Sequence, residues 1–266
     1  MMAALQGKKS TTTGGVMQRG SRIAIVLGTT CALAFAGCAS VGTIHQPEAF
    51  GSNKTYAVVT VMANEKVGCV DFGGNPCNGG VFGLVNMATR TNAYSEDASE
   101  VLENTYPAAL RALRSSTSLK LAPDVKNLKV YRSAAEDAQP KGMMSLSHTV
   151  AKGYKYFTDE NLARMARELK VDGVITVTIS YSAARSGVTV AGVGGKHKAQ
   201  ANVMVRAVNQ EGKNVWFDYA QGQSDEGTST GTGAVDFPKL RPLFVEATDR
   251  AAKKLMENLE AKARKM

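Results

Sequence analysis

The segment from residue 158 to residue 181 constrains the fold most, because a helix signal is followed at once by a strand signal. Thr158 and the acidic pair Asp159 and Glu160 suit a helix N-terminus. One apolar stripe at helical spacing follows, formed by Leu162, Met165, Ala166 and Leu169. A short turn leads into residues 174–181, where apolar and polar side chains alternate as in a β-strand. This unit predicts a layered α/β domain.

The remaining strand signals surround this unit. Residues 56–62 are almost continuously apolar, as in a strand buried on both faces. Residues 201–208 and 214–220 flank a polar turn, which predicts an antiparallel hairpin. Short strands are predicted at residues 119–122 and 128–131. Residues 133–157 carry no assignable pattern, and the Gly/Ser/Thr-rich stretch 222–233 is predicted to be flexible.

Two further helices complete the predicted domain. The first covers residues 96–115, although Pro107 should break or kink it near Tyr106. The second lies at the C-terminus, where Phe244, Thr248, Ala251, Leu255 and Leu259 repeat at helical spacing. The predicted fold class is therefore α/β (α+β), with a single mixed sheet of three to five strands, helices packed on it and a C-terminal helix.

Residues 1–37 have the composition of a secretory signal peptide. The hydrophobic stretch 23–35 follows four basic residues and no acidic one, and it ends in Ala36 and Gly37 just before Cys38. The stretch is shorter than the ~20 residues that a membrane-spanning helix needs. Translation could begin at Met1, Met2 or Met17 without changing the chain that remains after cleavage. The sequence therefore predicts an exported protein.

The end of this segment, Leu33-Ala-Phe-Ala-Gly-Cys38, resembles the lipobox of bacterial lipoproteins, apart from Phe35, where that pattern prefers Leu. The resemblance implies that Cys38 is diacylated and anchors the chain in a membrane leaflet. Ala39 follows, rather than the Asp that retains enterobacterial lipoproteins in the inner membrane, so the resemblance favours the outer membrane and a domain that faces the periplasm. An ordinary cleaved signal with a chance cysteine is the alternative. The predicted organisation is a signal peptide (1–37), a lipidated flexible tether (38–54) and one α/β domain (55–266).

Charge gives little support for a nucleic-acid partner. The full chain has 32 basic and 23 acidic residues, and removal of four basic residues with the signal lowers the net charge from +9 to +5. An exported chain of this modest charge is expected to bind no nucleic acid. The basic excess is interpreted as an aid to solubility and a weak attraction to anionic lipid.

The predicted export also guides the interpretation of the four cysteines. Cys31 leaves with the signal and Cys38 takes the lipid, which leaves Cys69 and Cys77 in a compartment that permits disulfides. A disulfide between these two is the preferred hypothesis, because it would close a short loop that contains Gly and Pro. Two free thiols are the first alternative. A metal site is the second, although zinc prefers four ligands and the three histidines are scattered.

Motifs for catalysis are not found. Residues 192–196, Gly-Val-Gly-Gly-Lys, fail the phosphate-loop pattern because position 190 is Val and His197 follows the Lys. Neither Gly-x-Ser-x-Gly nor His-Glu-x-x-His occurs. His148 stands beside serines, yet a solvated loop histidine is preferred to a catalytic one. We therefore expect no enzyme activity, no cofactor and no metal.

Two features are candidate interaction sites. Residues 186–198 contain Val188, Val190 and Val193 between two strands, and they either fold over the sheet or form a hairpin tip that contacts a membrane or a partner. In the strand 214–220, alternation places Trp216 on one face and Tyr219 on the other. Both aromatic residues suit a core, and both are also enriched in binding hot spots.

The helix–turn–strand segment 162–177 resembles a recurrent unit of envelope lipoproteins, namely the curli secretion lipoprotein and the lipoprotein activators of penicillin-binding proteins. The likeness covers residues 55–63 and 158–260. It implies an α/β domain that makes protein–protein contacts without catalysis.

These observations favour a lipid-anchored envelope protein that acts as an assembly, secretion or cell-wall accessory factor. Its expected partners are the membrane leaflet, through Cys38, and another envelope protein, and the interpretation is compatible with an oligomer. The alternative is a periplasmic binding module for a small ligand or glycan, with the Gly-rich loops as pocket walls. An enzyme is the third possibility.

Overall fold

The computed structural model describes residues 43–44, 46–49, 53–70, 96–139, 147–186, 196–229 and 235–264. The strands in these segments are β1 (Thr43–Ile44), β2 (Thr55–Asn64), β3 (Lys66–Val70), β4 (Glu96–Asp97), β5 (Lys120–Leu121), β6 (His148–Val150), β7 (Gly173–Ser186), β8 (Lys196–Asn209) and β9 (Asn214–Ser229). The helices are α1 (Ser99–Ser115), α2 (Lys129–Ser133), α3 (Asp159–Glu168), α4 (Phe237–Leu240) and α5 (Leu243–Ala263). Single 3-10 turns cover Pro47–Ala49 and Val125–Asn127.

One mixed sheet joins the strands, in the order β1-β9-β8-β7-β2-β5. The pairs β7–β8 and β8–β9 are antiparallel, whereas β2 runs parallel to β7 and to β5. Strand β3 continues the line of β2 along β7, and β6 pairs with the far end of β2. Strand β4 pairs with β3. The mixed α/β class with a C-terminal helix, predicted from the sequence, is confirmed.

The sheet has more strands than the three to five predicted. Nine strands pair within the described residues, and the four longest, β2, β7, β8 and β9, have 10, 14, 14 and 16 residues. The others have only two to five residues each. Such short strands contain too few side chains for a readable alternation, so the prediction found the long strands and missed most of the short ones.

The β8–β9 hairpin lies where it was predicted, but its strands are longer. In the turn, the Asn209 side chain accepts hydrogen bonds from the backbone N–H groups of Glu211 (3.1 Å) and Lys213 (2.8 Å), and Gly212 adopts a φ of 81°. Residues 222–229, predicted to be flexible, instead continue β9 alongside β8. Pairing with a long neighbouring strand overrides the low strand propensity of this Gly- and Ser-rich stretch.

A bulge in β2 allows this strand to contribute buried side chains to the cores on both faces of the sheet. Its register against β7 shifts just before Thr60. Ahead of the shift, Ala57 and Val59 belong to the core on the α2 and α3 side. After it, Val61 and Ala63 belong to the core under α1 and α5, although their positions have the same parity. One extra residue reverses the faces of a strand, which explains the continuous apolar run in the sequence.

The larger core lies between the sheet and the helices α1 and α5. Tyr181 on β7 meets the ring of Phe244 edge-on, with 5.5 Å between the ring centroids. Its hydroxyl forms a buried hydrogen bond with Thr105 of α1. The predicted stripe of α5 is confirmed, since all five of its residues are buried. Helix α1 passes through Pro107 without ending, so of the predicted break or kink the break is wrong. Buried residues on both sides of the proline, such as Leu102 and Leu113, hold the helix on the core.

A smaller core lies on the opposite face, under α2 and α3. Leu162, Met165 and Ala166 of α3 pack there against the first residues of β7, as the stripe predicted. Helix α2 was wrongly predicted as a strand. Its Tyr131 turns inward and donates a 2.6 Å hydrogen bond to the carbonyl of Val59.

The chain between residues 43 and 49 is not a free tether. Thr43 and Ile44 pair with β9, and the N–H of Gln46 donates to the carbonyl of Val215 at 3.3 Å. The Tyr56 hydroxyl donates to the carbonyl of Ala49 at 2.7 Å. The predicted tether, residues 38–54, is therefore too long, because it includes a strand of the sheet. Within the described segments, no helix is both long and apolar enough to cross a membrane.

Candidate interaction face

Alternation along the long strands divides the sheet into a covered face and an open one. The helices α1 and α5 cover the first. On the other side, the described helices α2 and α3 pack only near the beginning of β7. Register places the following eleven residues on the part that no described helix covers, which we call the open face: Met62, Asn64, Thr178, Ser180, Ser182, Gln200, Asn202, Met204, Tyr219, Gln221 and Gln223. All but Thr178 are half-buried or exposed.

The open face is arranged in rows across four strands. One row contains two methionines, a threonine and a tyrosine: Met62, Thr178, Met204 and Tyr219. The next row contains amides and a hydroxyl: Asn64, Ser180, Asn202 and Gln221. Within the described part of the chain, the side chains of this second row make no hydrogen bonds to one another or to their surroundings. Their donors and acceptors therefore have no partner among the described residues.

No residue of the open face is charged, although 21% of the chain is Asp, Glu, Lys or Arg. The cation that follows Met204 on the same face of β8, Arg206, is paired with a carboxylate. Its guanidinium donates to both carboxylate oxygens of Asp159 at 2.6 and 2.9 Å, and also to Asn214. The same hydrogen bonds lower the pKa of Asp159. The open face is thus bordered by a paired charge at this end, whereas at its other end Lys198 follows Gln200 on the same face of β8.

Trp216 and Tyr219 of β9 lie on opposite faces of the sheet, as alternation predicts. Trp216 is completely buried and has no surface to offer a partner, so its nomination as an interaction residue is wrong. Tyr219 is 41% exposed and lies in the first row of the open face. Between them, Asp218 is buried; its carboxylate accepts the N–H of Tyr219 at 2.8 Å and lies 3.6 Å from Nζ of Lys262. Burial raises the pKa of Asp218, and Lys262 partly offsets this effect.

Several other predicted residues lie outside the described part of the chain. Val188, Val190 and Val193 are among them, and so are Cys38 and Cys77. Cys69 is buried on β3 and is in a disulfide bond. Its pairing with Cys77 stays a prediction.

The open face was only partly visible in the sequence. The alternation of residues 201–208 already placed Asn202 and Met204 on one side of a strand. It did not show that Asn64 and Ser180 lie in the same row, because that juxtaposition depends on strand order and on the β2 bulge.

The two described histidines that the structure places in strands have different surroundings. His148, on β6, lies opposite Asn64 and is half-buried. His197, near the start of β8, is buried, and burial together with the nearby charge of Arg185 lowers its pKa. Among the described residues, no three His, Cys, Asp or Glu side chains lie close enough together to hold a metal ion.

A small cavity lies at the beginning of β2. It has a volume of about 10 Å³, and its lining includes Leu110, Arg114 and Tyr154. That volume holds about one water molecule. This cavity is therefore too small for a metabolite or a sugar.

Comparisons with known proteins do not assign this chain to a family. No known protein family matches the sequence, and no curated protein matches it significantly. Lipoprotein GNA1162 from Neisseria meningitidis is 13% identical with a TM-score of 0.32, over 66% of this chain and 84% of that one. The hypothetical protein CT253 from Chlamydia trachomatis is 10% identical with a TM-score of 0.35, over 80% and 99%. A PelC dodecamer from Paraburkholderia phytofirmans is 10% identical with a TM-score of 0.24, over 81% and 93%. Similarities this low do not bear on function.

Proposed function

We propose that this chain is a lipid-anchored, non-enzymatic accessory protein of the bacterial envelope, and that its open face docks another envelope protein. The observation that carries the docking is an accessible sheet face without charge. Surfaces that stay in water usually carry Lys, Arg, Asp and Glu. The centres of protein interfaces are depleted of charge and enriched in Tyr and Met, as the row with Met204 and Tyr219 is.

The anchor is supported by the sequence. A short apolar stretch and small residues precede Cys38, and the segment resembles a lipobox. The proposed role is an assembly, secretion or cell-wall accessory factor at the periplasmic side of a membrane, with the outer membrane favoured. Contact between copies of the chain is compatible with the same face.

A binding module for a small ligand or glycan is the second candidate. It is favoured by the row of Asn64, Ser180, Asn202 and Gln221, whose free amides and hydroxyl match the hydroxyl groups of a sugar. The two candidates differ in what a crosslinker on the open face would capture.

The test is photo-crosslinking in intact envelopes. A benzophenone side chain replaces Tyr219 in one variant and Asn202 in a second, both on the open face. The matched control carries it at Lys253, an exposed position of α5. We expect both face variants, and not the control, to crosslink the same envelope protein.

Three results would count against protein docking. The first is capture of the same proteins by the control. The second is capture of no protein by either face variant. The third is retention of the purified domain on peptidoglycan fragments, reduced by Tyr219→Ala, which would favour the glycan module.

A further inference from the structure

Two methionines supply the large aliphatic side chains of the open face. Met62 on β2 and Met204 on β8 both lie opposite Thr178 of the intervening strand β7. Tyr219 completes this first row, and every other residue of the open face carries an amide or a hydroxyl group. The apolar surface that the open face offers to a partner therefore belongs mainly to two methionines and one aromatic ring.

Solvent exposure separates the described methionines into two pairs. Met62 and Met204 are only half-buried. Met165 and Met256, the other two methionines in the described part of the chain, are 0% and 5% exposed. An oxidant must reach the sulfur atom of a methionine in order to react with it. The two methionines of the open face are therefore the ones that a small oxidant in water meets first.

A peroxide oxidises a methionine side chain in one balanced step. A lone pair of the sulfur atom attacks one peroxide oxygen, and the O–O bond breaks as the S–O bond forms. The displaced hydroxide takes the remaining proton and leaves as water, so the sulfur atom loses two electrons and the peroxide gains them. The product, methionine sulfoxide, is polar, and a reductase converts it back to methionine while two thiols become a disulfide and the oxygen leaves as water.

Oxidation changes the character of the first row without disturbing the cores. A partner that docks on this row removes water from both methionine side chains. A sulfoxide oxygen that loses its water without gaining a hydrogen-bond donor costs free energy, whereas a thioether does not. Met165 and Met256 belong to the two buried cores, which keep their packing as long as these two residues stay reduced.

We propose that Met62 and Met204 form a redox-sensitive modification site, and that their oxidation by a peroxide releases the partner protein from the open face. This inference rests on the docking that the proposed function assigns to the open face. An exported protein lies outside the reducing environment of the cytosol, so its methionines meet oxidants without that protection. Reduction of the two sulfoxides restores the apolar row and, with it, the contact.

Mass spectrometry of the purified protein tests the modification site. Limited treatment with hydrogen peroxide should form sulfoxide at Met62 and Met204 several-fold faster than at Met165 and Met256, because only the first two are partly exposed. Circular dichroism of the oxidised protein should remain that of the native fold. Equal rates at all four methionines, or loss of the fold at the same dose, overturns the inference.

Photo-crosslinking in isolated envelopes tests the effect on docking. The benzophenone side chain stands at Asn202, which leaves the first row unchanged. Peroxide, removed with catalase before illumination, should lower the yield of the captured protein several-fold, and methionine sulfoxide reductases for both epimers should restore it. Met62→Leu combined with Met204→Leu keeps the row apolar but cannot form a sulfoxide, so its yield should not respond to peroxide. The matched control, Met256→Leu, should respond as the wild type does.

The outcomes separate this inference from the proposed function. Capture of no protein at Asn202 before peroxide is added overturns the docking, and the inference with it. Equal capture before and after both sulfoxides have formed overturns the inference alone. A response to peroxide that persists in the leucine variant also overturns it, because the oxidised group then lies elsewhere.

Discussion

The carboxylate of Asp218 is a titratable group in a buried, apolar environment. It has no exposed surface, and the neighbouring ammonium of Lys262 only partly offsets its burial, so its pKa is raised above the ordinary value. The folded protein therefore holds this proton more tightly than the unfolded chain does. The stability that Asp218 contributes is complete below the ordinary carboxylate pKa of about 3.9 and is lost as pH rises through the raised pKa.

The variant Asp218→Asn should remove this dependence, because an amide does not titrate. Relative to the variant, the wild type is expected to lose stability as pH rises from about 4 to 7, by roughly 1.4 kcal/mol for each unit by which the pKa is raised. Urea unfolding across this range measures the difference.

The control for this variant is Asp225→Asn. The Asp225 carboxylate is hydrogen-bonded to Arg250, which lowers its pKa. Its contribution therefore has the opposite sign, being present above the ordinary carboxylate pKa and lost as pH falls through the lowered value. The same trend in both variants would contradict this account of Asp218.

Single residues of β9 show what the sequence can and cannot reveal. Opposite faces for Trp216 and Tyr219 follow from the two-residue period of a strand alone. Which face is buried does not follow, because both side chains suit a core or an interface. The buried face is decided by helix α5, which packs in the same core as Trp216, and strand alternation does not reveal this contact with a distant part of the chain.

At the scale of elements, the close contact of α5 with β9 depends on Gly222. A Cβ at this position would collide with the backbone of Ala247 and Ala251. The helix can therefore lie directly on the strand only where the strand has no side chain.

The variant Gly222→Ala should force the helix away from the strand and lower the free energy of unfolding by about 1–3 kcal/mol or more. Urea denaturation measures this loss. The matched control is Gly68→Ala on β3, where an added Cβ has no atom within 4 Å. Equal losses for the two variants would mean that the α5–β9 contact is not as close as described.

Elements were predictable where their own periodicity was strong. The stripes of α3 and α5 are long enough to reveal a buried face. Residues 222–229 and the helix α2 were assigned wrongly for a common reason. Their conformation is imposed by neighbours, namely β8 for the first and the β2 face that receives Tyr131 for the second.

At the scale of the whole molecule, two surfaces differ in charge. The eleven residues of the open face are uncharged, whereas the start of β8 carries Lys196 and Lys198. Salt acts on the second surface and hardly on the first, because screening affects only charged groups.

Crosslinking of a partner through Tyr219 should therefore be nearly independent of ionic strength, from about 0.05 to 0.5 M salt. Crosslinking yields measured at several salt concentrations in one membrane preparation test this independence. A yield that falls strongly as the salt concentration rises would contradict an uncharged docking contact.

The pairing of Thr43 with β9 also has a kinetic consequence. With only four residues between the proposed anchor and the sheet, the domain is confined to a thin layer beside its leaflet. A partner in the same membrane meets the open face by diffusion in two dimensions and at a high effective concentration, so a weak contact suffices to hold it. A partner farther away gains nothing from the anchor. The short connection thus selects partners by their distance from the membrane before any side chain of the open face touches them.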